Sequence, residues 1–471
     1  VNAYTSPPDP LSIFQRLLLS VAEYFIFGRR VSNAPISENL YQPFATDRIA
    51  LDSPDVASMS RNGHVREAAV RRLAKSTDGS EVPFLLVCVN DWVSPVREAA
   101  LAALQARLRP EYAGHFVRNL PLVIRLADCG RHDHAPFVAA VLDQLRAPES
   151  RPALLEGLTS ADRAVRRLCF RLAIETADIP RLEFLGQAIR DDDPSVRLWA
   201  ARTAGSTLGL EDYLDLTAVM ARDRFMPVRR QALVGLVEMS PEHVEPVLRA
   251  SLLDPHVSIR EIARYHLAKS GGFDARSFYR AAVYEGRLKN LSSALAGLGE
   301  TGTREDAKLV EPWLSQPNTK IRRAAARALG RLDGDSHIDD LLRALEDDRP
   351  NVSRAAKDAL RGRLRLIAPE RLWQVFERDR RSHARRHSLG LLAGLGKWER
   401  LPYLIRACSD DDPEIAARAH RLIADWFARF NRSFTPPSPE NLRRISTALE
   451  TYGPAMEPEA VMRLREYLKG W

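Results

Sequence analysis

Lysine is scarce in this chain: of its 69 Lys and Arg residues, only eight are lysine. Positive charge is therefore carried almost wholly by guanidinium groups, whose planar fork suits repeated pairing with carboxylates. Cysteine is scarcer still. The four residues (Cys88, Cys129, Cys169, Cys408) stand far apart and form no CxxC pair. That excludes a disulfide framework and predicts small buried side chains in a reducing compartment. Long apolar runs are missing, and none approaches the ~20 residues that span a bilayer. The most apolar segment, 11–30, is interrupted by Arg16 and Glu23 and lacks a basic start, so it reads as neither a transmembrane helix nor a signal peptide. A cytoplasmic protein is expected. Catalytic punctuation is also wanting: no P-loop, GxSxG or GxGxxG occurs in a strand-to-helix context. The net charge of +8 over 471 residues permits an acidic partner without requiring one.

What the sequence does contain is a period. In DDDPSVRLWAARTAG (191–205), Val196 is followed by Arg197, by Ala200 four positions on and by Ala204 eight positions on. Calling Val196 position i, the same frame fits at Val65, Val96, Val165, Val228, Ile259, Ile321, Val352, Ala384 and Ile415, and more loosely at Asn290. From Val165 onward the steps are 31 or 32 residues. The gap between Val96 and Val165 has room for one divergent, slightly long unit around 111–146. About twelve repeats result.

Apolar positions at i, i+4 and i+8 share one helical face. The small residue at i+4 (Ala69, Ala100, Cys169, Ala200, Ala232, Ala263, Ala294, Ala325, Ala356, Ser388, Ala419) predicts close approach of a neighbouring helix. Upstream of each lies a second amphipathic stretch, such as 179–189 or 337–347. A turn rich in Asp and Pro separates the two. The pairs Asp193-Pro194, Asp254-Pro255 and Asp412-Pro413 each predict a capping acid before a first-turn proline. A single such hairpin cannot bury its apolar face, so neighbours must stack.

The stretches DPSVRLWAA, SPVREAALAAL (94–104) and NTKIRRAAARALGRL (318–332) resemble the HEAT-repeat family, in particular the short bacterial form also called PBS-lyase HEAT-like repeats. The resemblance covers roughly 50–430. It implies an all-α fold, an α-solenoid in which about twelve helical hairpins wind into a right-handed superhelix with the second helices lining the concave surface. It implies no single function, since the fold hosts many. Residues 1–49 fall outside the repeat frame and contain an apolar helical stripe at 11–27, read as an end cap, with contact to a partner helix or a membrane as the alternative. Residues 431–471 follow as a proline-rich break and a C-terminal helical cap.

Arginine occupies i+1 at Arg66, Arg97, Arg166, Arg197, Arg229, Arg260, Arg322 and Arg385. It is expected to pair with turn aspartates of adjacent repeats, as the family resemblance implies, rather than to bind a polyanion. A second concentration of charge lies at 354–386, where eleven Lys or Arg residues face four acids. Such a run reads first as a solvated face; as a candidate partner-binding face it comprises Arg354, Lys357, Arg361, Arg378, Arg380, Arg381, Arg385 and Arg386, with Arg322, Arg323, Arg327 and Arg331 extending it. Trp373 and Phe376 interleave at a spacing that suits core packing. His383 and His387, one turn apart, lack the glutamate of HExxH and are read as part of the basic face. CGRHDH (129–134) offers Cys129, His132 and His134 as weak metal candidates, with a polar turn the favoured reading. The HEAT-like deoxyhypusine hydroxylases carry His-Glu pairs, which this chain lacks. None of the catalytic positions of HEAT-like DNA glycosylases can be assigned, and nothing identifies a bilin pocket.

The resulting expectation is a non-catalytic scaffold or adaptor without a cofactor, holding a macromolecular partner, a protein foremost, on its helical surface. Two alternatives remain. One is a nucleic-acid-binding, DNA-glycosylase-like protein. The other is a cytoplasmic-face subunit of a membrane complex, tethered through 11–27.

Overall fold

The protein is described by a computed structural model covering residues 53–176, 180–240, 244–432 and 434–470. The apolar stripe at 11–27, and with it the proposed cap or membrane contact, lies outside these residues. Among them there are 27 α-helices and no strand, and the chain forms an α-solenoid of paired helices. It divides into two compact units, Val1–Trp199 and Ala200–Trp471. The division falls within the helix Pro194–Thr207.

In the first unit, second helices Gly63–Leu73, Ser94–Gln105 and Arg163–Ala173 carry the repeat frame. The divergent unit between them is a broken first layer, Ala113–Arg118 and Leu120–Leu126, followed by Ala135–Arg146. In the second unit the corresponding helices are Met226–Met239, Val257–Lys269, Leu288–Thr301, Thr319–Asp333, Pro350–Leu360, Ser382–Leu392 and Pro413–Ala428. All eleven small residues at i+4 are buried. Close approach is visible directly in the second unit: a Cβ placed on Gly299 would lie 2.7 Å from the Cα of Ala328 on the next second helix. The side chain is missing because a neighbouring backbone occupies its place.

Two of the three acids of the turn at 191–193 have separate tasks. Asp193 caps the helix, its Oδ1 accepting from Ser195 N at 2.9 Å, and Asp412 does the same for Glu414 N. Asp191, two residues earlier, binds an arginine of the preceding hairpin. Asp254-Pro255 corrects the expectation from sequence. The helix there begins at Val257 and is capped by the ring of His256. Asp254 sits at i−5, like Asp191, and not at the capping position i−3.

At the C-terminal end, helix Pro439–Tyr452 packs on Leu401–Ala407, and Tyr467 of Pro458–Lys469 stacks on Phe430 with centroids 4.1 Å apart. Trp398 and Trp426 complete this aromatic cluster. Cys88, Cys169 and Cys408 are buried free thiols, and burial pushes each of their pKa values up to about 12. No described helix is long and apolar enough to cross a membrane.

Candidate interaction surface

Five of the eight i+1 arginines form the expected ladder. Arg66 lays its fork on Asp91, with Nε donating to Oδ2 at 2.7 Å and Nη2 to Oδ1 at 2.8 Å. Arg166 grips Asp191, Arg229 grips Asp254 and Arg322 grips Asp347 in the same two-toothed way, and Arg385 reaches Asp410. Each acid lies 25 residues beyond its arginine. The remaining nitrogen, Nη1, turns back to the main-chain carbonyl six residues earlier: Ser60 for Arg66, Asp91 for Arg97, Ser160 for Arg166, Asp191 for Arg197, Asp223 for Arg229, Asp254 for Arg260 and Gln316 for Arg322. One guanidinium thus closes its own hairpin turn and, where an acid is present, locks the next. The acid in turn accepts from the backbone N–H two residues on, as Asp91 does from Val93 and Asp347 from Arg349.

Two departures from the ladder are informative. The turn between Ala275–Glu285 and Leu288–Thr301 is reduced to Gly286 and Arg287. Arg260 therefore bonds Glu300, which it shares with Arg264. At Pro350–Leu360 the i+1 residue is Ser353, fully buried. Its hydroxyl donates to Leu345 O at 2.6 Å, so the 2.8 Å contact with His387 Nδ1 requires the ring to donate. Nδ1 carries the proton, and Nε2 is left as an acceptor. His383 Nε2 donates to Asp347 O at 2.9 Å. With no ladder arginine available, Asp379 is held by Arg381 of its own turn. Burial works against its charge, yet that guanidinium keeps the carboxyl below its ordinary range.

The basic stretch 354–386, continuous in sequence, comes apart in space. Arg385 belongs to the ladder and also lies 4.7 Å over the Phe376 ring. Arg381 is paired with Asp379, and Asp348 and Glu346 add to the field around it. Arg363 pairs with Asp335, Arg371 with Asp339 and Arg386 with Glu414. Trp373 and Phe376 are buried and stacked on each other at 4.7 Å, so neither is offered to a base. Arg361, Arg378 and Arg380 are exposed and form no ion pair among the described residues.

A different set is brought together on the second helices. Arg323 and Arg327 on Thr319–Asp333, Arg354 and Lys357 on Pro350–Leu360 and Arg386 on Ser382–Leu392 lie on three successive second helices, each packed on the next. Arg323, Arg327 and Arg354 have no ion pair among the described residues, and Lys357 has only Asp358 at 3.6 Å on its own helix. Partial burial, then repulsion from Arg323, Arg331 and Arg354, pull the pKa of Arg327 down. Burial, then Lys357, His383, Arg354 and Arg386, push that of His387 down to about 4. His387 is therefore neutral at pH 7 and acts as a hydrogen-bonding strut, which corrects its reading as part of the positive face. Of the proposed extension, Arg323 and Arg327 join this cluster. Arg322 belongs to the ladder, and Arg331 stands 3.6 Å from Glu300.

Of the metal candidates, Cys129 bonds Arg125 O and His134 bonds Asn90, while the rings of His132 and His134 meet edge to face with centroids 5.6 Å apart. No group of three or more His, Cys, Asp or Glu side chains poised for a metal occurs among the described residues.

The family model for HEAT repeats matches residues 182–271 and 289–363. No curated protein matches the chain. Among solved structures, Kap95p in a study of its binding to RanGDP is similar at 14% identity and a TM-score of 0.40, over 90% of this chain and 66% of that one. Yeast importin-beta is similar at 13% and 0.38, over 86% and 64%. The CpcE–CpcF phycocyanin lyase complex from Nostoc sp. PCC7120 is similar at 20% and 0.24, over 52% and 94%. This chain thus spans just under two thirds of the length of the two importin-type chains. Such values transfer no function to it.

Proposed function

We propose that this chain, which carries HEAT repeats over residues 182–271 and 289–363, is a non-catalytic cytoplasmic scaffold that binds a protein partner on the surface of its second helices. The observation that carries this reading is how arginine is used. The ladder guanidiniums are consumed in riveting hairpins together. A second set on the second helices, Arg323, Arg327 and Arg354, forms no ion pair among the described residues, and Asp358 offsets only part of the repulsion that Arg323, Arg331 and Arg354 exert on Arg327. Like charges crowded with too little counter-charge destabilise a fold and favour an external anion. Hairpins locked turn to turn supply a stiff array, and small rotations between them let it adapt to what it holds.

The test is affinity capture from the source organism, identification of the bound protein, and reconstitution from purified components. Loss of the complex on Arg354→Glu, with retention on Arg343→Glu at the exposed side of the first helix Ile338–Leu345, is the expected result. A purified protein that turns over a small molecule, or a complex indifferent to Arg354→Glu, would refute the reading.

A further inference from the structure

Five cations on three adjacent helices form a patch with definite edges. Position i+2 of the repeat is Arg323, Arg354 and Arg386 in three consecutive hairpins. In the two preceding hairpins it is Glu261 and Ser292, and in the following one Ala417. With helix axes about 8–10 Å apart, the row Arg323–Arg354–Arg386 is roughly 20 Å long. Arg327 lies one helical turn along from Arg323, and Lys357 about one turn along from Arg354, which gives the patch a second row.

This geometry points to one class of ligand. Resting on the scaffold reading above, we infer that the patch formed by Arg323, Arg327, Arg354, Lys357 and Arg386 receives a short extended acidic segment of a partner protein, rich in Asp and Glu. An extended chain rises about 3.3 Å per residue and presents alternate side chains on one face. Six or seven residues therefore cross the patch, with carboxylates about 7 Å apart along it. Arginine forks match carboxylates in pairs. A nucleic acid fits less well. Its charge continues past the patch, where exposed Glu261 would oppose it, and the aromatic side chains interleaved in the basic stretch, Trp373 and Phe376, are buried. Exposed Asp358 and Glu414, beside Lys357 and Arg386, set the register by repelling carboxylates placed off the guanidinium row.

The neutral His387 beneath the patch supplies an internal reporter. Its depressed pKa, due to burial and to the fields of Lys357, His383, Arg354 and Arg386, rises when carboxylates screen those charges. The ring bonded to Ser353 senses occupancy without touching the ligand.

The experiment uses the purified full chain and a fluorescent ten-residue peptide of alternating Asp and Glu. A Gln/Asn peptide and a single-stranded ten-nucleotide DNA serve as comparisons, at two salt concentrations. Saturable binding of the acidic peptide is expected, weakened at least about tenfold by Arg323→Ala/Arg327→Ala/Arg354→Ala and unchanged by Arg378→Ala/Arg380→Ala. The triple variant should melt at or above the wild-type temperature, because it removes repulsion and breaks no ion pair, which separates lost binding from lost fold. The NMR titration midpoint of His387 should rise when peptide is bound. Tighter binding of DNA than of peptide, equal binding of the neutral peptide, no binding of the acidic peptide, or indifference to the triple substitution would each overturn the inference. If the protein captured in cells still depends on Arg354 while the acidic peptide fails, the scaffold reading stands and only the acidic-segment assignment falls.

Discussion

Removing one ladder arginine should cost far more than removing any surface arginine. Arg66 is 1% exposed and Asp91 4% exposed. The guanidinium gives two bonds to the carboxylate and two more to Ser60 O and Arg61 O. Arg66→Ala leaves a buried carboxylate whose remaining bond is that from Val93 N, together with two carbonyls that lose their donor. Breaking a buried ion pair from one side costs about 3–5 kcal/mol. Arg386→Ala, which removes a pair whose side chains are 38% and 74% exposed, should cost under about 1 kcal/mol. The double replacement Arg66→Met/Asp91→Asn should recover much of the loss, since both charges then leave together. Because the repeats are coupled only to their neighbours, the assay is urea unfolding combined with amide exchange. Exchange should accelerate first at Val93 and along Ser94–Gln105. A cost for Arg66→Ala no larger than that for Arg386→Ala would show that the ladder contributes nothing beyond a surface pair, and the account of how the hairpins are locked would fail.

Three further outcomes follow from the same structure. Gly299→Ala, whose new Cβ would lie 2.7 Å from the Ala328 Cα, should destabilise by about 1–3 kcal/mol through overpacking, read as a lower urea midpoint for the second unit. Ser353→Ala leaves Leu345 O and the His387 Nδ1 proton without their shared partner. It should cost about 1–3 kcal/mol and move the His387 midpoint in an NMR titration. The third concerns pH and has two windows. The His387 pKa falls from 6.5 unfolded to about 4 folded, so the native state binds fewer protons and stability declines as pH falls from 6.5 towards 4; His387→Gln should flatten that slope. Burial opposes ionisation of Glu300 and Asp347, but the arginines bonded to them hold both pKa values below the ordinary carboxylate range. Their stabilisation is complete above that range, about pH 4, and is lost as pH drops through the depressed values. Denaturation midpoints measured from pH 7 to 3 check both windows.

Much of this was legible in the chain because it depends on local spacing. The 31-residue step and the small residue at i+4 specify hairpins and their contact points, and every i+4 residue is buried; the pairing of the i+1 arginines was what the family resemblance implied. The cap at Asp193 and the cap at Asp412 were legible for the same reason. Asp254-Pro255 misled because the dipeptide is identical but stands two residues earlier in the frame, where it serves the ladder. The basic stretch misled in another way. Arg378 ends a helix, Arg380 and Arg381 stand in a turn, Arg385 takes a ladder position and Arg386 a helix face, and only Arg381, Arg385 and Arg386 meet carboxylates, each a different one.

The sequence by itself determined the helical hairpins and their repetition, since each depends on a period of 3.6 or 31 residues that repeats along the chain. Only the tertiary structure decided which charges remain free. Whether an arginine is neutralised depends on a carboxylate 25 or 40 residues away, as for Arg66 with Asp91 and Arg260 with Glu300. Ser353 at one ladder position turns His387 into a neutral strut. Coulomb energy falls with distance in space and takes no account of distance along the chain, and so the patch of Arg323, Arg327, Arg354, Lys357 and Arg386 exists only once three hairpins are side by side.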